Sequence, residues 1–263
     1  MGIGINDAGD SARRSSIPSG GAGTLSGGAF SDFYAGVWVY RASADVTYAN
    51  TAGGAFVHAQ AGAREMVIGF DSAGSNLSDL SLRAIFNSGG GAGTPYFFPA
   101  HAGDDFLDEW VHYFMLAAGG TTGSQRMGYI RLADLANPVV QLRTNDNASS
   151  QYVNTLTFGN TAANNARATG DYAFARAIAS ASLTVSDVQS LCNNPATVAG
   201  DWGFWPMADN TDTGDDSGNG RSLTFNGTLT SEASPTLGSS TIVASLLAGL
   251  VGGGRLLRGI SRG

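Results

Sequence analysis

The residues best suited to chemistry lie in an acidic segment in the last third of the sequence. Four aspartates, Asp209, Asp212, Asp215 and Asp216, fall within eight residues and are surrounded by asparagines and glycines. Carboxylate and amide oxygens on a loop are the ligands that Ca²⁺ prefers. No glutamate closes the segment as in an EF-hand, and the same residue types are common in solvated turns. The segment therefore predicts a Ca²⁺ site, a loop that faces another ligand, or a plain turn-rich loop.

Aromatic side chains in two loop-like contexts form a second group of candidates. Tyr96 and Phe97 follow a proline, and Trp202 and Trp205 precede the acidic segment. Aromatic rings stack on sugar rings in binding sites, and they also fill hydrophobic cores because each buries a large apolar area. We therefore consider two hypotheses for these four residues, a ligand-binding surface and closure of the core.

The sequence lacks the pair of carboxylates that glycosidases use to cleave glycosidic bonds. The three glutamates, Glu65, Glu109 and Glu232, are separated from one another by more than forty residues. A retaining glycosidase needs two carboxyl groups about 5.5 Å apart. Asp108 and Glu109 are adjacent, but adjacent side chains of a strand point to opposite faces of the sheet. The sequence therefore predicts no glycosidase activity.

Missing residue types exclude further catalytic arrangements. The chain has no lysine, which rules out a GxxxxGK[ST] phosphate loop and a Schiff-base lysine. No GxSxG motif occurs. His58 and His112 lie in apolar runs, as core histidines do, and His101 lies in a segment typical of a solvated loop. The single cysteine, Cys192, cannot form an internal disulfide. We expect no enzyme and no required cofactor, with Ca²⁺ as the one optional ion.

Charge and apolar patterning limit the partners. The sequence has 14 arginines and 21 acidic residues, which gives a net charge of −7. The resulting negative electrostatic potential disfavours binding of nucleic acid. The start of the sequence lacks the apolar segment of a secretory signal. The longest apolar stretch, residues 242–251, is about half of what a bilayer crossing requires. We expect no nucleic-acid partner, no membrane span and no signal peptide.

Short runs rich in aromatic and β-branched residues, separated by polar turn residues, predict an all-β protein. In residues 110–116 both alternating faces are apolar, so we expect that strand to be central in its sheet. The spacing of the runs is typical of a β-sandwich. The predicted strands comprise residues 33–41, 55–60, 65–70, 80–87, 110–116, 127–132, 139–142, 152–158 and 171–178.

One short helix and two terminal arms complete the predicted elements. Thr184 and Asp187 form a capping-box pair ahead of an apolar stripe, so residues 183–191 predict a two-turn helix that packs on the sandwich. Residues 1–24 have no periodic apolar face and predict an arm, held by its own domain or by a neighbouring subunit. Residues 239–263 predict a tail that forms a final strand with a frayed end, a docking peptide or a membrane-surface helix.

The predicted sandwich domain lies between these arms and spans residues 25–238. Within it, residues 201–230 hold the acidic loop and a hairpin. The hairpin prediction rests on Asn226 and Gly227, the preferred pair for a type I′ turn, which lie between two short runs of β-forming residues.

Three segments together resemble the laminin-G-like and concanavalin A-like jelly-roll superfamily. Residues 35–41 resemble the aromatic strand near the start of such domains. Residues 109–113, followed by 128–131, are similar to the W-x-H-V-A and L-Y-V-D-G strands of these modules. Residues 170–176 and 183–191 resemble the closing strand and the short helix. The resemblance implies a concanavalin A-like (laminin-G-like) jelly-roll β-sandwich with one short helix and extended N- and C-terminal arms.

A fourth segment, residues 202–221, is similar to the W-P-L-x-D … D-x-S-G-N-G-R signature of the same modules. Most relatives carry it at the front of the domain, whereas here it follows the helix, an order that resembles phage virion proteins with laminin-G-like folds. The first and last strands of a jelly roll are neighbours, so either end of the chain can supply this piece.

The resemblance implies a phage virion structural protein, either a capsid decoration or a head-fibre component that presents an adhesion surface and binds glycan. A tail or receptor-binding protein is one alternative, and a stand-alone lectin-like carbohydrate-binding module is the other. The implied location is the surface of the virion, on the capsid or the tail. The implied partners are other virion proteins contacted through the terminal arms, further copies of the chain in a homo-oligomer, and a cell-surface glycan.

Overall fold

The computed structural model describes residues 2–7, 9–18, 23–25, 33–62, 64–87, 94–118, 124–144, 153–161, 167–179 and 183–238. At strand ends, the side chains of residues 64, 87, 94–96, 99, 100, 118, 124, 143 and 144 lie outside this description. The predicted C-terminal tail, residues 239–263, also lies outside the described residues.

The described chain consists almost entirely of strands, which confirms the all-β prediction. One helix, α2, is two turns long, and α1 is a single turn. Within the described residues, neither has the length or the apolar character needed to cross a membrane. The elements are β1 (Gly2–Ile5), β2 (Ser11–Arg14), β3 (Phe33–Tyr40), α1 (Tyr48–Thr51), β4 (Ala55–Ala61), β5 (Arg64–Phe70), a 3-10 turn (Leu77–Asp79), β6 (Ser81–Asn87), β7 (Thr94–Ala102), β8 (Trp110–Ala118), β9 (Ser124–Arg131), β10 (Asp134–Thr144), β11 (Thr155–Phe158), β12 (Gly170–Ile178), α2 (Val185–Cys192), β13 (Asp201–Trp205), β14 (Thr224–Asn226) and β15 (Thr230–Glu232).

The strands form two antiparallel sheets that pack face to face as a jelly-roll β-sandwich. Sheet A has the order β10-β9-β8-β3-β12-β1-β15, and β13 pairs with the other end of β12. Sheet B has the order β14-β2-β11-β4-β5-β6-β7. β8 lies between β3 and β9, so the prediction that residues 110–116 form a central strand is confirmed.

The core lies between the sheets and is filled by alternate side chains of each strand. In β8, Val111, Tyr113 and Met115 point into this core, whereas Phe114 lies on the outer face of sheet A. The ring of Tyr113 stacks on Phe56 of sheet B, with ring centroids 3.8 Å apart. Each buried side chain of this size contributes about 1.5–3 kcal/mol through the apolar area removed from water.

The predicted capping box begins α2 as expected. Thr184 Oγ1 accepts from Asp187 N at 3.3 Å, and Asp187 Oδ2 accepts from Thr184 N at 2.6 Å. The apolar stripe of the helix, Val188 and Leu191, packs against a second aromatic cluster on the outer face of sheet A, around Trp38. The helix therefore covers part of that outer face.

A buried arginine fastens the C-terminal end of α2 to sheet A. Arg176 of β12 donates to Leu191 O at 2.7 Å, and its Nε lies 3.1 Å from Asp201 Oδ1. Trp38 Nε1 donates to Cys192 O at 2.8 Å. Arg176 and Trp38 thus donate to carbonyl groups that the end of a helix leaves without partners. The positive charge of Arg176 also complements the helix dipole.

The predicted N-terminal arm belongs to both sheets. β1 pairs with β12 and β15 in sheet A, and β2 pairs with β11 and β14 in sheet B. Ile3, Ile5 and Ala12 are fully buried in the core. Of the two expectations for this segment, the structure shows the arm held by its own domain. Gly2–Ile5 and Ser11–Arg14 are strands of the sandwich, paired with strands from the far end of the chain, and are not separate from residues 25–238.

The predicted hairpin at Asn226 and Gly227 is also wrong. β14 pairs with β2 and β15 pairs with β1, so the chain crosses from sheet B to sheet A between these two short strands. It runs beside the crossing of residues 6–10. The carboxylate of Asp10 accepts from Thr228 N at 2.9 Å and from Asp7 N at 2.8 Å, which ties the two crossings together. This crossing corner closes one side of the sandwich.

The opposite side of the sandwich ends in two edge strands, β10 of sheet A and β7 of sheet B. Gln141 Nε2 donates to Phe97 O at 2.9 Å and joins the two edges. Three large apolar side chains are exposed here: Phe97 by 46%, Val139 by 37% and Leu142 by 53%. We call this the open side of the sandwich.

Candidate functional site

The acidic segment forms a loop that its own aspartates hold in shape. Asp209 Oδ1 accepts from Thr211 N at 2.8 Å, and Asp215 Oδ2 accepts from Arg221 N at 2.8 Å. Asp212 accepts from two backbone N–H groups of the loop, at 2.9 and 3.2 Å. The bonds from Thr211 N and Gly214 N, each two residues after its aspartate, are typical of Asx turns, in which a short polar side chain replaces a backbone acceptor.

The structure does not bring the four predicted Ca²⁺ ligands around one point. Within the described residues, which include the whole acidic segment, no three His, Cys, Asp or Glu side chains are placed to share a metal ion. Asp216 contributes its backbone N–H, which donates to Phe204 O at 2.8 Å. The geometry favours the turn-rich loop, and Ca²⁺ binding stays a prediction.

The predicted aromatic surface is divided between the core and the open side. Trp205 is fully buried and Trp202 almost so, and both belong to β13. Their indole N–H groups donate to Arg221 O at 2.8 Å and to Gly23 O at 3.0 Å, respectively. Of the two hypotheses for these tryptophans, the burial favours closure of the core. Phe97 is exposed, and the side chain of Tyr96 lies outside the described residues.

The three histidines are buried. His101 lies 2.9 Å from Tyr113 Oη, and His112 lies 2.7 Å from Tyr34 Oη. Burial lowers the pKa of both imidazoles to about 3, so they are neutral at pH 7. His58 pairs with a glutamate of the next strand at 3.1 Å. The core prediction is confirmed for His58 and His112, whereas the solvated-loop prediction for His101 is wrong.

A row of side chains crosses the outer face of sheet A beside the area covered by α2. It follows four consecutive strand pairings: Trp110 opposite Tyr40, Tyr40 opposite Asp171, Asp171 opposite Gly4, and Gly4 opposite Thr230. Residues directly opposite each other point to the same face of a sheet. With strands 4.7–4.9 Å apart, the row is ~19 Å long. We call these five residues the outer row.

The first half of the outer row is aromatic. The rings of Tyr40 and Trp110 lie 5.6 Å apart at 45°, and both side chains are partly exposed. Asp108 hydrogen-bonds to Tyr40 and accepts from Ser43 N at 2.9 Å. Loss of solvent, together with the nearby carboxylates of Asp108 and Asp171, raises the pKa of Tyr40, so its hydroxyl stays protonated. The pair offers apolar ring faces with a polar rim.

The second half of the outer row is acidic. Burial, together with the negative charges of Glu232 and Asp45, raises the pKa of Asp171 to about 7. Within the described residues, none of these three carboxyl groups forms a salt bridge. Near pH 7 the Asp171 carboxyl exists in both protonation states, so it can donate to a hydroxyl or accept from one.

Gly4 lets polar side chains close over the middle of the row. A Cβ at this position would lie 2.3 Å from Thr230 Oγ1 and 3.1 Å from Glu232 Cγ, so these two side chains would have to move away from the row. Asn6 Nδ2 donates to Thr230 Oγ1 at 3.4 Å. The hydroxyl of Thr230 and the carboxyl of Glu232 therefore come next to Asp171, within reach of one ligand.

Comparison with known proteins supports the fold. No protein-family model matches the sequence, and no curated protein does either. Among solved structures, the chain is similar to a Bacteroides ovatus ATCC 8483 protein provisionally described as carbohydrate binding, with TM-score 0.50 and 12% identity, over 87% of this chain and 61% of that one. The chain thus spans less than two thirds of that protein's length.

Tailspike protein 2 of an Escherichia coli O157:H7 bacteriophage is also similar, with TM-score 0.45 and 9% identity, over 64% of this chain and 22% of that one. The likeness to the Bacteroides ovatus protein shows a shared all-β sandwich fold. It does not identify a ligand or a reaction for this chain.

Sequence reasoning missed the outer row because its members are far apart along the chain. Tyr40, Trp110 and Asp171 are each separated by at least sixty residues, and only the pairing of β3 with β8 and β12 aligns them. The one available signal was local. Tyr40 ends the aromatic strand β3, Trp110 begins the aromatic strand β8, and polar residues lie next to both. Exposed aromatic rings beside carboxyl and hydroxyl groups suit a ligand with apolar faces and many hydroxyls.

Proposed function

We propose that this protein is a non-catalytic carbohydrate-binding module that holds a glycan along the outer row. The partly exposed ring pair of Tyr40 and Trp110 is the observation that carries the proposal. The rings stack on the apolar face of one sugar, and Asp171, Glu232 and Thr230 bind hydroxyls of the next. The length of the row, ~19 Å, suits an oligosaccharide better than a single sugar.

The setting of this module is a phage virion, where it serves adhesion. This part of the proposal rests on the order of the sequence segments, which resembles that of virion proteins with laminin-G-like folds. A capsid decoration or head-fibre position and a tail or receptor-binding position both fit an outward-facing site. Immunogold labelling of particles with an antibody to this protein distinguishes the positions, and absence of label from every particle contradicts the setting.

Glycan binding is tested with an oligosaccharide array, followed by calorimetry on the best ligand. Replacement of Tyr40 by Ser removes one ring of the pair, and we expect binding to weaken about tenfold, because ring contacts contribute up to ~1.5 kcal/mol beyond burial. Phe97→Ala is the matched control, since it removes an exposed aromatic ring from the open side. Thermal unfolding of each variant verifies that the sandwich is intact.

Three outcomes would contradict the proposal. If no glycan binds to the wild-type protein, carbohydrate binding is wrong. If Tyr40→Ser binds as tightly as wild type while Phe97→Ala does not, the site lies on the open side instead. Incubation of bound glycan with the protein, followed by mass spectrometry of the sugar, tests the non-catalytic part, and any shortened product refutes it.

A further inference from the structure

Four carboxylates surround the outer row, and they come from four different parts of the chain. Asp171 lies on β12 and Glu232 ends β15. Asp45 lies between β3 and α1, and Asp108 lies between β7 and β8. The charges of Asp108 and Asp171 reach Tyr40, and those of Glu232 and Asp45 reach Asp171. The carboxylates therefore gather because the strands pair, and not because one turn is rich in aspartate.

Within the described residues, no cation pairs with any of these four carboxylates. The arginines on the neighbouring strands have other partners. Arg41, which follows β3, is buried and donates to a backbone carbonyl. Arg131 of β9 binds both carboxylate oxygens of Glu109, and Arg176 of β12 donates to a carbonyl at the end of α2. The outer row is thus left with a negative potential that these arginines do not neutralise.

Repulsion between the carboxylates favours a positively charged ligand. Burial and the like charges of Glu232 and Asp45 raise the pKa of Asp171 to about 7. A positive charge within about 4–6 Å of a carboxyl group stabilises its ionised form. A cationic ligand therefore gains from direct attraction and also from relief of the repulsion. A ligand that carries its own carboxylate adds to the repulsion instead.

The aromatic half of the row also suits a cation, and this observation is independent of the acids. The rings of Tyr40 and Trp110 lie 5.6 Å apart at 45°, and both are partly exposed. An aromatic ring attracts an ammonium group that lies within about 6 Å of its centroid. Tyr40 is directly opposite Asp171, which places their Cβ atoms about 4.5–5.5 Å apart. One ammonium group can therefore contact the ring and the carboxylate together.

We propose that the outer row selects glycans that carry free, non-acetylated amino groups. This inference rests on the proposed function and names the class of sugar. The ammonium group lies against the rings of Tyr40 and Trp110 and donates its N–H groups to Asp171 and Glu232. Where Asp171 is protonated and the amine is neutral, the carboxyl proton moves to the amine nitrogen, so the same ion pair forms. A hydroxyl or an N-acetyl group in that place brings no positive charge.

The test compares three tetrasaccharides by calorimetry at neutral pH: the glucosamine tetramer, its fully N-acetylated form and cellotetraose. They share one linkage and differ in the group at a single carbon of each sugar. We expect the glucosamine tetramer to bind about tenfold more tightly than either neutral tetramer, since an ion pair and a cation–π contact are added. This affinity ratio should fall as salt screens the charges.

The variants test whether the ratio comes from this site. Asp45→Asn combined with Glu232→Gln removes two of the four carboxylates, and we expect the ratio to fall severalfold. Asp104→Asn combined with Asp216→Asn removes the same charge from two exposed positions outside the row and should leave the ratio unchanged. Thermal unfolding verifies that both double variants are folded.

The results that would overturn the inference differ from those that would overturn glycan binding. If a neutral tetramer binds as tightly as the glucosamine tetramer, or if array binding is confined to glycans without amino groups, the selectivity is wrong and carbohydrate binding stands. If the control variant lowers the ratio equally, the net charge of the chain explains it. If Tyr40→Ser leaves glucosamine binding unchanged, the amine binds elsewhere. Only the absence of binding to every glycan contradicts the proposed function as well.

Discussion

Replacement of Asp171 by Asn should make the stability of this protein less sensitive to pH. The pKa of Asp171 in the folded chain is about 7, against an ordinary value of 3.8, because burial and the charges of Glu232 and Asp45 disfavour its ionised form. A carboxyl with a raised pKa stabilises the folded state below its unfolded pKa. That contribution is lost as the pH rises through about 7, since ionisation then occurs in the costly folded environment.

The size of the effect follows from the pKa difference. The difference between about 7 and 3.8 corresponds to ~4 kcal/mol at most, at 1.36 kcal/mol for each pKa unit. The side chain is only partly buried, so solvent screening reduces the expected effect to ~1–2 kcal/mol. In a chain of this length that is ~2–8 °C in the midpoint of thermal unfolding.

The assay is thermal or denaturant unfolding of wild type and Asp171→Asn at pH 4, pH 6 and pH 8. Asn cannot ionise, so the variant should gain ~1–2 kcal/mol over wild type between pH 4 and pH 8. Other titrating groups, such as Asp201, cancel in the difference. Asp104→Asn, on an exposed loop, is the control. A difference between wild type and Asp171→Asn that stays constant over this range would refute the electrostatic reasoning for the outer row.

Three further predictions concern the loop and the helix. Chelation of divalent ions should leave the unfolding midpoint unchanged, because the loop aspartates already bind backbone N–H groups, and a lower midpoint on chelation would support Ca²⁺ binding instead. Thr184→Ala should cost ~1 kcal/mol in unfolding free energy, measured by denaturant titration, through loss of the helix cap. Arg176→Met should cost ~3 kcal/mol, because it removes the donor to Leu191 and leaves Asp201 buried without its cation, and a loss below ~1 kcal/mol would contradict that role.

The sequence predicts the parts of this fold that depend on local pattern. The two apolar faces of residues 110–116 identify a central strand, and the Thr184 and Asp187 pair identifies the start of α2. β1 escapes prediction because it has only four residues and two of them, Gly2 and Gly4, are glycines, which are depleted in strands. Its glycines have a tertiary cause: a Cβ at position 4 would meet Thr230 of β15, a residue more than two hundred positions away.

The candidate site is predicted less well than the fold. Exposure in the folded chain decides whether an aromatic residue can bind a ligand, and exposure depends on which strands become neighbours. Trp202 and Trp205 stand beside a polar loop in the sequence, yet β13 turns both into the core. Tyr40 and Trp110 sit in apolar strands, yet both side chains stay partly exposed. No local pattern separates these two cases.

The pairing of β1 with β15 has a consequence for synthesis on the ribosome. The first strand of the chain is held between β12 and β15, which are translated more than 160 residues later. Until those residues leave the ribosome, Ile3 and Ile5 have no sheet to join and stay in water. Contacts of such long sequence separation slow folding and expose unpaired edges in the interval. Nascent chains stalled before residue 230 should therefore depend on chaperones in a way that the finished protein does not.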